Sequence, residues 1–139
     1  MSDFKIFDIA GSGMSAQSVR LNTVASNLAN ADSVSSDPAG VYRAKHPVFQ
    51  AVLDSGLQAD PATASVEVSG IAQSQAAPEM RYDPGNPLAN AQGYVYAPSV
   101  NVVEEMTDMI SASRSYQNNV EVLNTARDMM LDTLKLGQS

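Results

Sequence analysis

The sequence contains no cysteine and no tryptophan, and aromatic residues make up only 6% of its 139 positions. The absence of cysteine excludes disulfide bonds, thiolate zinc sites and cysteine nucleophiles. Many of the 44% hydrophobic residues are alanines. With few aromatic residues as well, the side chains are too small to fill a large globular core. The length fits a single domain, and the composition favours an elongated one.

Basic residues and long apolar runs are also scarce. Eight lysines and arginines stand against fifteen aspartates and glutamates, a net charge of −7, which is the wrong sign for holding phosphate backbones or anionic lipid. We therefore expect no nucleic-acid partner.

No run approaches about 18 consecutive apolar residues, and residues 1 to 30 lack a basic start followed by an apolar core. These features predict neither direct membrane insertion nor a cleavable signal peptide.

Residues that carry catalytic or metal-binding chemistry are sparse. His46 is the only histidine, and a lone histidine without clustered carboxylates rarely makes a metal site. Gly11-Ser12-Gly13 lacks the preceding strand and the Lys-Ser/Thr ending of a phosphate-binding loop, and no serine lies in a nucleophile elbow. We predict no catalytic residue, no metal site and no cofactor, so the chain is not expected to be an enzyme.

The most regular stretch of the chain lies near its C-terminus. From Asn101 no proline or glycine intervenes before Gly137, which predicts one helix of about 36 residues and roughly 54 Å. Asn101 with Glu104 forms an Asn version of a capping box. Apolar residues recur at alternating steps of four and three, as at the a and d positions of a heptad repeat. These positions are Val102, Met106, Met109, Ser113, Tyr116, Val120, Leu123, Arg127, Met130 and Leu134.

A second helix is predicted near the N-terminus, over residues 4 to 30. The same spacing of three and four joins Phe7, Ala10, Met14, Gln17, Leu21, Val24 and Leu28. Gly11 and Gly13 interrupt this helix and indicate either a bend or a close approach of another helix. A narrow apolar stripe of this kind needs other helices against it, from the same chain, from other copies, or from both.

The middle of the chain differs from both ends. All seven prolines lie between Pro38 and Pro98, and helical periodicity is replaced by short β-like runs at 42–52, 66–72 and 77–82, with a turn sequence at 83–86. We predict a mainly α fold, in which long N- and C-terminal helices pack as a coiled-coil-like pair. Residues 1–32 and 99–139 would form the helical core domain, and residues 33–98 an extended or β loop-rich region.

Polar residues interrupt both apolar stripes. Gln17, Ser113 and Arg127 either set the register and oligomeric state of packed helices or face solvent after a local drift of the heptad. We hypothesise that Arg127 lies at a helix–helix contact and meets a carboxylate or a backbone carbonyl. The methionines of the C-terminal helix fit an adaptable partner groove or ordinary core packing equally well.

Several motifs resemble those of a known family. Residues 22–31, NTVASNLANA, resemble the N-terminal signature of bacterial flagellar axial proteins. The stretches VVEEM at 102–106, SASRSYQ at 111–117 and VEVLNT at 120–125 resemble the basal-body rod family more narrowly, in its proximal-rod branch of the FlgC type. YRAK at 42–45 and YDPGNP at 82–87 do so too, and the resemblance covers nearly the whole chain.

The resemblance implies a structural role in the proximal rod, the shaft that crosses the periplasm and passes torque from rotor to hook. It implies a helical tube built with other copies and other rod proteins, and passage through the flagellar type III export apparatus without a cleavable signal. It also implies that the two terminal helices form the inner wall together. Two alternatives stay open, namely another axial subunit of the distal rod or hook, and an exported helical adaptor or chaperone-like binding protein.

We expect the assembly interface to lie on both helices. In the N-terminal helix we expect it at Leu21, Val24, Asn27, Leu28 and Asn30, and in the C-terminal helix at Met106, Met109, Tyr116, Val120, Leu123, Arg127, Met130 and Leu134.

Overall fold

A computed structural model describes residues 3–53 and 64–137 of the chain. Residues 1–2 and 138–139 of the predicted helical domain, and residues 54–63 of the predicted middle region, lie outside the described residues.

Two long helices form at the predicted places. Helix α1 spans Asp3–Asn30 and helix α2 spans Val102–Leu136. The side-chain oxygen of Asn101 accepts from the backbone N–H of Val103 at 3.1 Å and of Glu104 at 3.4 Å, and Gly137 follows the last helical residue. These two bonds confirm Asn101 as the predicted N-cap. A capping side chain of this kind satisfies the free N–H groups of the first turn and so fixes where the helix begins.

The two helices pack antiparallel. Asn27 near the end of α1 contacts Glu105 near the start of α2, and further along a Cβ placed on Gly13 would lie 2.8 Å from Nδ2 of Asn119. Of the two interpretations offered for the glycines, close helix approach therefore holds at Gly13. Gly11 has nothing within 4 Å of such a Cβ.

The middle region consists of two small antiparallel sheets. Strand β1 (Lys45–Leu53) pairs with β2 (Ala64–Gln73), with a register shift between Val48 and Phe49. Strand β3 (Glu79–Tyr82) pairs with β4 (Tyr94–Ala97), and the other edge of β4 bonds Ser35 through Tyr96. Between the last two strands, the N–H of Asn86 donates to the carbonyl of Asp83 at 3.2 Å, which closes the predicted turn.

The predicted fold class is wrong in two respects. Helices hold 52% of the described residues and strands 23%, so the chain is helix-rich but combines both structures, and its middle is more than a loop-rich extension. The helix pair also departs from a regular coiled coil, because small residues and polar groups lie at its centre. The sequence predicts three short β-like runs, but the pairing of strands depends on long-range contacts that a single run does not encode.

Helix α1 is the central element. On one side it packs against α2, and on another the β1–β2 hairpin runs along it. Ser12 accepts a hydrogen bond from the backbone N–H of Val66 at 3.1 Å, and Asn27 bonds the backbone of Lys45. The core that results is small, and most of its members are short side chains. They are Ala10, Ala16, Thr23, Val24, Asn27, Ala44, Val95, Glu105 and Ala112.

Within residues 3–53 and 64–137, no helix is both long enough and apolar enough to span a membrane.

Candidate assembly interface

One amide joins three elements at the end of the helix pair. Asn27, completely buried, donates through Nδ2 to the carbonyl of Lys45 at 2.9 Å and to Oε1 of Glu105 at 3.0 Å. Its Oδ1 accepts from the N–H of Lys45 at 2.9 Å and from the hydroxyl of Tyr42 at 2.8 Å. An asparagine amide offers two donors and two acceptor positions, so this side chain is fully satisfied. It thereby fixes the start of β1 against both helices.

Glu105 is the buried partner of this amide on α2. Its side chain is only 5% exposed, and its second oxygen, Oε2, has no hydrogen-bond partner among the described residues. Burying a carboxylate costs free energy unless its oxygens are hydrogen-bonded. The hydrogen bond from Asn27 therefore offsets part of the cost of burying Glu105.

A second polar contact lies one turn further along α2. Nη2 of Arg20 lies 2.7 Å from Oδ1 of Asp108, with both side chains partly exposed. Sliding the helices past each other would break this ion pair and the hydrogen bond between Asn27 and Glu105 at the same time. The polar contacts therefore favour a single register of α1 on α2.

The side of α2 that faces α1 contains the residues just before four of the predicted positions. Glu105, Ala112, Asn119 and Ala126 lie on it, and they directly precede Met106, Ser113, Val120 and Arg127. Glu105 is buried whereas Met106 is 53% exposed, and Ala112 is completely buried whereas Ser113 is half-buried. The predicted d positions Met109, Tyr116, Leu123 and Met130 are half-buried. We call this side the inner stripe, and it consists of Glu105, Met109, Ala112, Tyr116, Asn119, Leu123, Ala126 and Met130.

The first half of α2 exposes a row of apolar side chains that we call the ridge. Val103, Met106 and Ile110 are 72%, 53% and 55% exposed, and their spacing of three and four places them on one side of the helix. Exposed apolar residues are ordinary when single, and adjacent ones form a candidate contact surface.

A groove lies at the opposite end of the helix pair, where Ile6 of α1 faces the second half of α2. It has a volume of about 340 Å³. Its lining consists of Ile6, Asn118, Glu121, Val122, Thr125, Ala126 and Met129.

The β1–β2 hairpin is a further exposed apolar element. Val48, Phe49, Leu53 and Ile71 are all exposed, and neither strand contains a buried residue. A two-stranded hairpin is marginally stable by itself, and here it is supported by α1 on one side.

The predicted interface residues of α1 lie mostly inside the chain. Val24 and Asn27 are buried, and Leu21, Leu28 and Asn30 are half-buried. The amide of Asn30 donates to the carbonyl of Ser26 in its own helix at 2.8 Å. These side chains are therefore held largely by contacts within the subunit.

The predicted interface residues of α2 divide between two sides of the helix. Met106, Arg127 and Leu134 are exposed, and Val120 is half-buried. No hydrogen bond or ion pair joins Arg127 to any other residue in the described part of the chain, so the contact proposed for it is absent within the subunit and, toward other subunits, stays a prediction. The last turns, from Leu131 to Leu136, are exposed throughout.

Sequence reasoning missed Glu105, Ile110, Ile6 and Val122. The spacing of Val103, Met106 and Ile110 is as regular as that of the predicted stripe, so the ridge was visible in the sequence. The sequence did not show which of the two adjacent stripes of α2 faces α1. Hydrophobicity alone favours Met106 over Glu105 at a buried position. The hydrogen bond from the buried amide of Asn27 reverses that preference.

Two family descriptions match the two ends of this chain. Residues 7–35 match the family described as "Flagella basal body rod protein", and residues 91–136 match the family described as "Flagellar basal body rod FlgEFG protein C-terminal". The first match covers most of α1, and the second covers β4 and α2.

Similarity to individual proteins extends over the full length. The chain is 56% identical over 138 residues to the flagellar basal-body rod protein FlgC of Escherichia coli O6:H1 and, to the same extent, to that of Salmonella typhimurium, covering 99% of this chain and 100% of each relative. The FlgC protein of Aquifex aeolicus is 42% identical over 135 residues, which is 97% of either chain. The similarity therefore includes the middle region as well as both helices.

Proposed function

Since this chain belongs to the FlgC family of flagellar basal-body rod proteins, we propose that it builds the proximal rod by packing the exposed apolar faces of its helices against neighbouring subunits. Membership in the family makes it a structural subunit of the rod, located in the basal body together with other rod proteins, and not an enzyme. Full-length similarity to FlgC proteins favours this role over a distal rod or hook subunit and over an exported adaptor.

The observation that carries the proposal is that α2 has an inner side that contacts α1 and an outer side with exposed apolar residues. The inner stripe of α2 contacts α1, whereas Val103, Met106 and Leu134 lie on surfaces open to solvent. Complete burial of one such side chain contributes about 1.5 to 3 kcal/mol. Each subunit has several such side chains. Repeated along a tube, their burial holds the subunits together without any single strong contact.

The proposal extends to the route and task of the subunit. It includes export through the flagellar type III apparatus without a cleavable signal, a position in the periplasmic part of the rod, and the transmission of torque toward the hook. Membership in the rod family supports these points.

Replacement of exposed apolar residues tests the interface. Met106→Asp and Leu134→Asp place a charge on the outer surface without touching the inner stripe, so each variant is expected to keep its helix content by circular dichroism yet to be lost from isolated basal bodies, with loss of motility. Gln92→Glu, which adds a negative charge at an exposed position in the connection between β3 and β4 and outside both helices, is the control and should be incorporated normally. Normal incorporation of both apolar-to-aspartate variants would contradict assembly through these helix faces.

A further inference from the structure

The ridge and the groove lie on opposite flanks of α2. Each residue of a helix is turned by about 100° from the one before it. Met106 and Ile110 directly follow the inner residues Glu105 and Met109, so the ridge is turned to one side of the inner stripe. Val122 and Met129 directly precede the inner residues Leu123 and Met130, and they are therefore turned to the other side. One molecule thus carries an apolar projection on one flank and an apolar recess on the other.

We propose that the ridge of one copy inserts into the groove of a second copy of the same chain, with the two α2 helices side by side and parallel. This inference rests on the proposed function and names the two surfaces that meet. Because the ridge and the groove are different surfaces on opposite flanks, the contact is heterologous, and each new copy presents another free ridge or groove. Such a contact repeats around or along a tube and does not close as a pair.

The groove has the size and chemistry to receive the ridge. Its volume of about 340 Å³ leaves room for side chains. Ile6, Val122, Ala126 and Met129 give it an apolar lining, and methionine adapts to irregular apolar surfaces. Val103, Met106 and Ile110 supply apolar side chains of matching chemistry.

Charge complementarity selects the parallel arrangement. If Ile110 lies over Thr125 in the groove of the next copy, Arg114, one turn further along, comes level with Met129 and its neighbour Asp128. Arg114 and Asp128 are both exposed, and no ion pair joins either of them to another residue within 3–53 and 64–137. The stagger between the copies is then 15 residues (125 − 110), or about 22 Å along the axis.

The absence of cysteine makes this contact directly testable by disulfide trapping. The double variant Met106→Cys, Val122→Cys replaces one exposed side chain of the ridge and one of the groove. It would be expressed as the only copy of the protein in flagellated cells, and isolated basal bodies would be oxidised and separated by mass without reductant. We expect a ladder of dimers, trimers and higher multiples of this chain, whereas each single variant stays monomeric.

The matched control is Met106→Cys, Asn124→Cys. Asn124 and Val122 lie on either side of the inner residue Leu123, so the control moves the second cysteine to the opposite flank of α2, and it should give no ladder. A ladder from the control, dimers from either single variant, or an adduct whose mass is not a multiple of this chain would overturn the inference. So would incorporation of the double variant without any ladder, and in that case the rod function would stand. Absence of the unmodified protein from basal bodies would instead overturn the proposed function itself.

Discussion

At the scale of single residues, Asn27 is the side chain that joins the most elements, since it bonds α2, the start of β1 and Tyr42. The sequence predicts this residue at an interface between subunits. The structure places all four of its hydrogen bonds inside the subunit. The sequence could not reveal these partners, because Tyr42 and Glu105 are far from Asn27 along the chain.

Replacement of Asn27 by alanine should destabilise the isolated subunit strongly. It leaves the buried Oε1 of Glu105 and the backbone of Lys45 without their partner, and each orphaned buried group costs about 1 to 3 kcal/mol. We expect the free energy of unfolding, measured with urea, to fall by about 2 to 4 kcal/mol. Asn30→Ala is the control, since the side chain of Asn30 is half-buried and bonds only within its own helix. Its loss should stay below about 1 kcal/mol. Equal losses in the two variants would show that the amide of Asn27 has no special role.

Gly93 is the residue whose backbone conformation most requires glycine. Its φ is 82°, and a Cβ there would lie 2.9 Å from Cε2 of Tyr82 and 3.3 Å from Cβ of Pro84. Alanine in this left-handed region is strained by about 1 to 2 kcal/mol before any contact is counted. Gly93→Ala should therefore lower the free energy of unfolding by about 1 to 3 kcal/mol.

Gly85, in the same connection between β3 and β4, is the control. The nearest atom to a Cβ at Gly85 is Oδ1 of Asp83, at 4.0 Å. Gly85→Ala is expected to change stability by no more than about 0.5 kcal/mol. If the two alanine variants unfold at the same urea concentration, the strain assigned to Gly93 is wrong.

At the scale of elements, the helices were predictable to within a residue or two at the ends, whereas their mutual orientation was not. Asn101 and Gly137 mark the ends of α2 by local chemistry, and a long stretch without proline requires no tertiary information. The phase of α2 on α1 depends on the buried pair Asn27 and Glu105, which breaks the hydrophobic pattern. Strand β4 was missed for a similar reason, since Tyr94–Ala97 is short and is held by β3 and Ser35.

Replacing the two glycines of α1 by alanine distinguishes the effect of helix propensity on stability from the effect of packing against α2. Alanine is favoured over glycine inside a helix by about 0.8 to 1 kcal/mol. Gly11→Ala adds a methyl group in open space and should stabilise the subunit by about 0.5 to 1 kcal/mol. Gly13→Ala forces the side chain of Asn119 to move, so its gain should be smaller or absent. Thermal unfolding of both variants gives the comparison, and an equal gain at Gly13 would mean that α2 does not approach α1 closely there.

At the scale of the whole molecule, the chain is long and has a small core. Helix α2 alone, with 35 residues, extends about 52 Å, and the largest completely buried side chains are Val95 and Asn27. Apolar side chains remain on the ridge, in the groove, on the hairpin and along the last turns of α2. A subunit of this kind is held in one register by polar contacts, while its apolar surfaces remain available to neighbours.

The most direct measurement is imaging of isolated basal bodies at a resolution that shows side chains. The account predicts that the antiparallel pair of α1 and α2 is retained in the rod, with Asn27 bonded within its own subunit. It also predicts that Val103, Met106 and Leu134 are covered by adjacent subunits. Rod subunits in which these three side chains face solvent, while neighbours meet through other surfaces, would contradict it.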